Sequence, residues 1–144
     1  FTISPVRHIR DGVVENNRSK ARLIEAVHQI VSSLENTYYF PAYELVIDVL
    51  RDYRFYDIDL VHPNYPATSY VLEKLTDSCI AEESRLLMKE IRQIINARKH
   101  RPLQPGTNAH RQFLLQSLEK VKQLQQQYPF LNLKEEIHYF SNHF

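Results

Sequence analysis

The stretch "RFYDIDLVHPNYP" contains two residues that can take part in proton transfer, Asp59 and His62, three positions apart. A histidine acts as a general base in one tautomer when an acceptor holds its other ring nitrogen. A carboxylate three residues earlier, on a turn that enters a helix, can supply that acceptor. The pair is therefore a candidate for general-base catalysis. The same spacing also arises by chance, with a capping aspartate and a surface histidine.

A second candidate is "SPVRH", which follows the first predicted strand and includes Arg7 and His8. Both side chains can reach a crevice at the end of that strand. The guanidinium of Arg7 suits a carboxylate or a phosphate, although a solvated loop explains the stretch as well. Ser4 is a poor nucleophile, because Pro5 follows it and no Gly-x-Ser-x-Gly elbow is present.

The remaining histidines show no spacing typical of a metal site, and they are His28, His100, His110, His138 and His143. Metal sites in proteins favour patterns such as His-Glu-x-x-His or histidines with paired cysteines. Cys79 is the single cysteine. We expect neither a metal nor a cofactor.

Composition excludes several function classes. The 144 residues carry a formal charge of +1, so no basic surface for nucleic acid or an anionic membrane is expected. Only two glycines are present, Gly12 and Gly106. Glycine-rich phosphate loops and nucleophile elbows need more. The chain starts "FTISPV", without an initiating methionine, and we expect it to be a piece of a larger protein. No targeting segment is visible, so the cellular location stays open.

The first half of the sequence predicts alternating strands and helices. The predicted elements are a strand in "FTISPV", a helix that begins at Asn17 or Ser19 and covers "SKARLIEAVHQIVSSL", a strand at Thr37–Phe40 and a helical turn at Tyr43–Leu50. Apolar residues recur at helical spacing in the first helix and predict one buried stripe. A strand, a helix and a strand in succession indicate a βαβ unit and a parallel sheet.

The second half predicts helices alone. A strongly helical stretch follows Pro66 and is expected to break around Cys79 to Ala81. After a linker with two prolines comes the amphipathic stretch "AHRQFLLQSLEKVKQLQQQ", and "LKEEIHYF" adds a last turn or two. Apolar residues on one side of the amphipathic stretch are predicted from their spacing, and they are Phe113, Leu114, Leu118, Val121 and Leu124. Helices joined by a short loop predict an antiparallel hairpin. We therefore expect an α/β domain over residues 1–66 and a helical region over 67–144 that packs on it.

Five blocks of the sequence together resemble the GSCFA family, a branch of the SGNH/GDSL hydrolase superfamily. They follow one another along nearly the whole chain and are "SPVRHIRDGVVENNRSKA", "YYFPAYELVIDVLRDYRFY", "DIDLVHP", "EESRLLMKEIRQIINARKHRP" and "HRQFLLQSLEKVKQLQQQYPFL". The resemblance implies the C-terminal part of a flavodoxin-like, three-layer α/β/α hydrolase domain, which the predicted helical hairpin then follows.

The resemblance also implies roles for residues. In the superfamily an Asp-x-x-His block supplies two members of a Ser-His-Asp triad, and it matches Asp59 and His62 here. The family's Gly-Ser-Cys-Phe-Ala signature, which supplies the serine, is absent, so we expect this chain alone to be inactive. His8 lies in the family's Ser-Pro-Val-x-His stretch and is implied as a pocket residue, and Arg7 is predicted beside it from its place after the first strand. The implied substrate is a small ester or an acylated carbohydrate.

Another class of function stays open. The helices from Ala67 to Gln127 could form an interaction module that packs against a partner and needs no nucleophile, or the whole protein could be a pseudoenzyme. A half sheet exposes apolar faces and edges. We therefore also expect homo-oligomers or a missing N-terminal segment.

Overall fold

The computed structural model describes residues 1–142, which divide into a first compact unit, Phe1–Ile80, and a second that begins at Ala81. The first unit contains α1 (Gly12–Ser33), α2 (Ala42–Glu44), a π-helix (Leu45–Leu50), a 3₁₀ turn (Tyr53–Phe55) and α3 (Tyr65–Cys79). The second contains α4 (Glu82–Lys99), α5 (Asn108–Gln127) and α6 (Lys134–Asn142). None of these helices combines the length and apolar character needed to cross a bilayer.

The predicted α/β fold is wrong, because residues 1–142 are mostly helical and form no sheet. Where strands were predicted, Thr2 and Phe40 form a single parallel bridge, with a hydrogen bond of 2.8 Å from the Phe40 amide to the Phe1 carbonyl. Pro5 and Pro41 flank this bridge. Proline has no amide hydrogen to donate to a ladder, so the pairing stays too short to build a layer.

No residue of the apolar stripe predicted for helix α1 is buried: Val27 and Val31 are half-buried, and others are exposed. Leu23, Ile30 and Leu34 are 47%, 38% and 56% exposed. The buried residue of this helix is Lys20, whose ammonium donates to the Ser4 carbonyl at 2.5 Å. Burial of Lys20 lowers the pKa of its ammonium. The prediction of a buried stripe is therefore wrong for α1, although the helix itself is present.

The first unit buries several apolar side chains, including two in or beside the candidate loop. Six apolar residues from separate segments are buried there, and they are Ile3, Ala42, Val46, Tyr56, Val61 and Ala67. Two of them, Tyr56 and Val61, flank Asp59 in sequence. The loop that carries Asp59 and His62 is therefore anchored by buried side chains.

The second unit is a cluster of three helices rather than the predicted hairpin of two. Its core contains Ile94 of α4, four residues of α5, Phe140 of α6, and Leu133 directly before α6. The α5 residues were predicted from their spacing and are Leu114, Leu118, Val121 and Leu124. Arg98 of α4 also binds Glu136 of α6, at 2.6 Å. The break predicted around Cys79 to Ala81 is confirmed, since α3 ends at Cys79 and α4 begins at Glu82.

Candidate functional site

The candidate site is a closed loop of residues 57–62 directly before α3. Tyr56 and Pro63 form an antiparallel bridge at its base. Inside the loop, the Asp57 amide donates to the His62 carbonyl at 2.8 Å, and the Leu60 amide donates to the Asp57 carbonyl at 2.9 Å. These bonds fix the backbone on both sides of Asp59.

The carboxylate of Asp59 organises the loop and contacts the imidazole. Its Oδ1 accepts hydrogen bonds from the amides of Val61 and His62, at 2.9 and 3.0 Å. Its Oδ2 lies 2.7 Å from Nδ1 of His62. An aspartate commonly binds amides two and three residues later. Here the second oxygen, Oδ2, is left free by the amides and pairs with Nδ1 of the His62 ring.

The hydrogen bonds to Asp59 stabilise its ionised form. The side chain of His62, together with the amides of His62 and Val61, lowers the pKa of the Asp59 carboxyl from 3.8 to about 2. Because this pKa is lower in the folded protein, the ionised carboxylate stabilises the loop above pH 3.8. That contribution is lost as the pH falls towards about 2.

The orientation of the pair suits proton transfer. Nδ1 of His62 faces Asp59, and among the described residues Nε2 makes no hydrogen bond. The side chain of His62 is 59% exposed and that of Asp59 is 46% exposed. An imidazole held at Nδ1 by a carboxylate presents Nε2 as the acceptor for a proton. The loop can therefore act as an oriented base with an open side.

Asn64 supports the loop and was missed by the sequence analysis. Its side-chain nitrogen donates to the Arg54 carbonyl at 2.7 Å, and its Oδ1 accepts from the Ala67 amide as the cap of α3. Asparagine followed by a proline in the first helical turn is a typical helix start. Asn64 and Pro66 carry that signal, which places the helix start two residues before the expected Ala67.

The two predicted pocket residues differ in their contacts with the loop. Arg7 reaches the loop: its Nη1 donates to the Leu60 carbonyl at 2.7 Å, and its amide donates to the Val61 carbonyl at 3.3 Å. His8 is bound through its amide, which donates to Oδ1 of Asn16 at 2.8 Å. Its ring is exposed and makes no hydrogen bond within residues 1–142.

A cavity of about 170 Å³ lies beside Arg7 in the first unit. Neither Asp59 nor His62 lines it. Its walls mix arginine, tyrosine and aliphatic residues, and they are Arg7, Val46, Ile47, Arg51, Asp52, Tyr53 and Tyr56. A larger concavity of about 570 Å³ lies along α5 in the second unit and contains none of the predicted site residues.

No nucleophile faces His62 in the part of the chain that the structure describes. The hydroxyl of Ser4 accepts a hydrogen bond from the Val6 amide, 3.2 Å away, and Cys79 lies at the end of α3. No three histidine, cysteine, aspartate or glutamate side chains gather as metal ligands within the same residues. The chemistry that this loop offers is proton transfer by an oriented imidazole.

Replacing His62 by alanine is expected to raise the pKa of Asp59 from about 2 towards 3.8. The substitution removes the ring that most stabilises the carboxylate, while the hydrogen bonds from the two backbone amides remain. A ¹³C NMR titration of the Asp59 carboxyl measures the change. In the control His8→Ala, the pKa of Asp59 should stay at about 2. An Asp59 carboxyl that already titrates near 3.8 in the unmutated protein would contradict the pair.

Two family models match this sequence. That of the GSCFA family matches residues 1–75, and that of the GSCFA domain protein, C-terminal domain, matches residues 91–143. The first match covers more than half of the 144 residues and includes Arg7, Asp59 and His62. No curated protein and no solved structure matches the chain.

Proposed function

Because this chain belongs to the GSCFA family, we propose that it contributes the general base and the orienting acid of a serine ester hydrolase. His62 is the base and Asp59 the acid that orients it. The substrate is a small acyl ester, with O-acylated carbohydrates as the leading class. Fold and family host many activities, so the proposal depends on the chemistry of the loop.

One observation carries the proposal: Oδ2 of Asp59 holds Nδ1 of His62 at 2.7 Å and leaves Nε2 open. In the proposed reaction, a serine hydroxyl attacks the ester carbonyl while Nε2 of His62 takes its proton. Asp59 stabilises the imidazolium that forms. His62 then returns the proton to the departing alcohol, and a water molecule releases the acid from the acyl-serine by the same steps.

We infer that the nucleophile lies outside residues 1–144. The Gly-Ser-Cys-Phe-Ala signature of the family does not occur in residues 1–144. A glycine-rich turn that supplies oxyanion donors is also hard to build with two glycines. We therefore assign the serine and the oxyanion donors to another segment of the full-length protein, which approaches the exposed Nε2 of His62.

Arg7 and His8 are proposed as residues near the substrate. Arg7 lines the cavity of about 170 Å³ and contacts the loop that carries the base. The exposed ring of His8 follows it in sequence. A wall that mixes arginine, aspartate and tyrosine with two aliphatic residues suits the hydroxyl groups and the acyl group of an acylated sugar.

Hydrolysis of a chromogenic acetyl ester tests the proposal. We expect the full-length protein to turn the ester over and residues 1–144 alone to show no activity above the buffer, because the chain has a base and no serine to activate. Both proteins are assayed at equal concentration, and circular dichroism verifies that each is folded. Equal turnover by the two proteins would contradict the assignment of the nucleophile to another segment.

A second candidate is a non-catalytic interaction module, and the exposed apolar stripe of α1 favours it. Leu23, Ile30 and Leu34 together present an apolar face of the kind that binding surfaces use. A pseudoenzyme of this kind would keep the Asp59–His62 contact as part of the loop. It would also fail to react with a fluorophosphonate probe, whereas the proposed hydrolase reacts.

A further inference from the structure

We propose that Arg7 is a positioning residue that holds the Asp59–His62 loop in its proton-accepting geometry, a role that rests on the proposed function. Arg7 lies 53 positions before Leu60 in sequence and still binds its carbonyl, at 2.7 Å. A second bond joins the Arg7 amide to the Val61 carbonyl, at 3.3 Å. Both contacts fall on the two residues between Asp59 and His62.

The residue that Arg7 holds has an unfavourable backbone. Leu60 has a φ of 56°, in the left-handed region that glycine adopts freely and leucine rarely does. Such a conformation persists when the surrounding contacts determine it. Two hydrogen bonds fix Leu60: its amide donates to the Asp57 carbonyl, and its carbonyl accepts from Arg7.

The conformation of Leu60 decides how the catalytic pair meets. Leu60 lies between Asp59 and Val61 in the chain. A rotation of its backbone therefore moves the imidazole of His62 away from Oδ2 of Asp59. Val61 is buried and resists that movement. Loss of the Arg7 contact would therefore lengthen or misdirect the hydrogen bond between Asp59 and His62, while the loop itself would remain folded.

Arginine is suited to this position by its shape. The guanidinium lies 4.1 Å from the ring centroid of Tyr56 and 5.4 Å from that of Tyr53, while its edge donates to Leu60. A planar guanidinium can stack on a ring and donate in its own plane at once, which the ammonium of lysine cannot do. Because Tyr56 is buried at the base of the loop, Arg7 connects that base to its tip.

The test compares Arg7→Ala, Arg7→Met and Arg7→Lys in the full-length protein. Arg7→Met retains a long side chain over the tyrosines and gives a second donor-free variant, in case Arg7→Ala does not fold. In both donor-free variants we expect the pKa of Asp59 to rise from about 2 towards 3.8. We expect kcat to fall by about 10- to 100-fold, because misplacement of a catalytic group by about 1 Å has effects of that size. Any change in KM, from the place of Arg7 in the cavity wall, should be smaller than the fall in kcat.

Arg7→Lys keeps a donor for Leu60 and should give values between those of the unmutated protein and Arg7→Ala. The matched control is Arg10→Ala, which removes an exposed arginine three residues away and should change neither quantity. An Asp59 pKa that stays at about 2, with unchanged kcat, in a folded donor-free variant overturns the proposal. So does an effect confined to KM, since Arg7 would then act in substrate binding alone.

The NMR measurement separates this inference from the proposed function. If the full-length protein hydrolyses no ester while Arg7→Met still raises the pKa of Asp59, the hydrolase assignment fails and the positioning role of Arg7 is supported. If the ester is hydrolysed and neither the pKa nor kcat responds to Arg7→Met, the hydrolase assignment stands and the positioning role fails.

Discussion

Replacing His62 by alanine in the full-length protein is expected to lower kcat for an acetyl ester by about 10⁴- to 10⁶-fold. The imidazole is the group that takes the serine proton, and water is a poor substitute for an oriented base. KM should change little, because the ring contributes to the reaction more than to binding of the ground state. Steady-state kinetics on the purified variant measure both quantities.

The matched control removes an imidazole from the other unit. His138 is an exposed histidine of α6, and His138→Ala should leave kcat and KM at their unmutated values. A fall in kcat of less than about tenfold in His62→Ala would exclude His62 as the base, since general-base contributions are at least about 10²-fold. An equal fall in both variants would indicate a general loss of folded protein.

Asp59→Asn is expected to lower kcat by about 10⁴-fold, as removal of the orienting carboxylate does in Ser-His-Asp enzymes. An asparagine oxygen can still accept the hydrogen bonds from the amides of Val61 and His62, so the loop should keep its conformation. The amide has no charge to stabilise the imidazolium, and its NH₂ group favours a proton-free Nδ1. The protonated nitrogen of the ring would then be Nε2, which cannot accept the serine proton.

Asp57→Asn is the control for this prediction. Asp57 lies in the same loop, and its carboxylate makes no hydrogen bond within residues 1–142, so the same chemical change should leave kcat unaffected. A retained kcat in Asp59→Asn would show that His62 works without the carboxylate. The Asp59–His62 contact would then be a structural feature of the loop.

The parts of the site that depend on neighbouring residues could be predicted from the sequence. Asp59 and His62 are three positions apart, and a turn brings such residues together without help from the rest of the fold. The contact between Arg7 and Leu60 joins residues 53 positions apart. No local pattern signals it, because it depends on how the first segment crosses the loop. Leu60 also gives no sequence signal of its left-handed backbone, which a glycine or asparagine would have given.

The fold shows the same division between local and distant causes. Helix α5 and its buried stripe follow from apolar spacing, which acts within one helix and was predicted correctly. The α/β prediction failed because a strand needs partners along its length, and the residues around Pro5 and Pro41 find one bridge. In α1 the apolar spacing predicted burial, yet Leu23 is exposed, since periodicity specifies a face and not what covers it.

The most direct test of the account is the rate at which a fluorophosphonate labels the full-length protein. The probe reacts with an activated serine whatever the natural substrate. The labelling rate therefore measures activation of the serine by its base, and no ester substrate has to be chosen. The account predicts rapid covalent labelling of the unmutated protein, and labelling at least about 10³-fold slower in His62→Ala, detected by intact-protein mass spectrometry. Labelling of the two proteins at the same rate would contradict the claim that His62, held by Asp59, is the catalytic base.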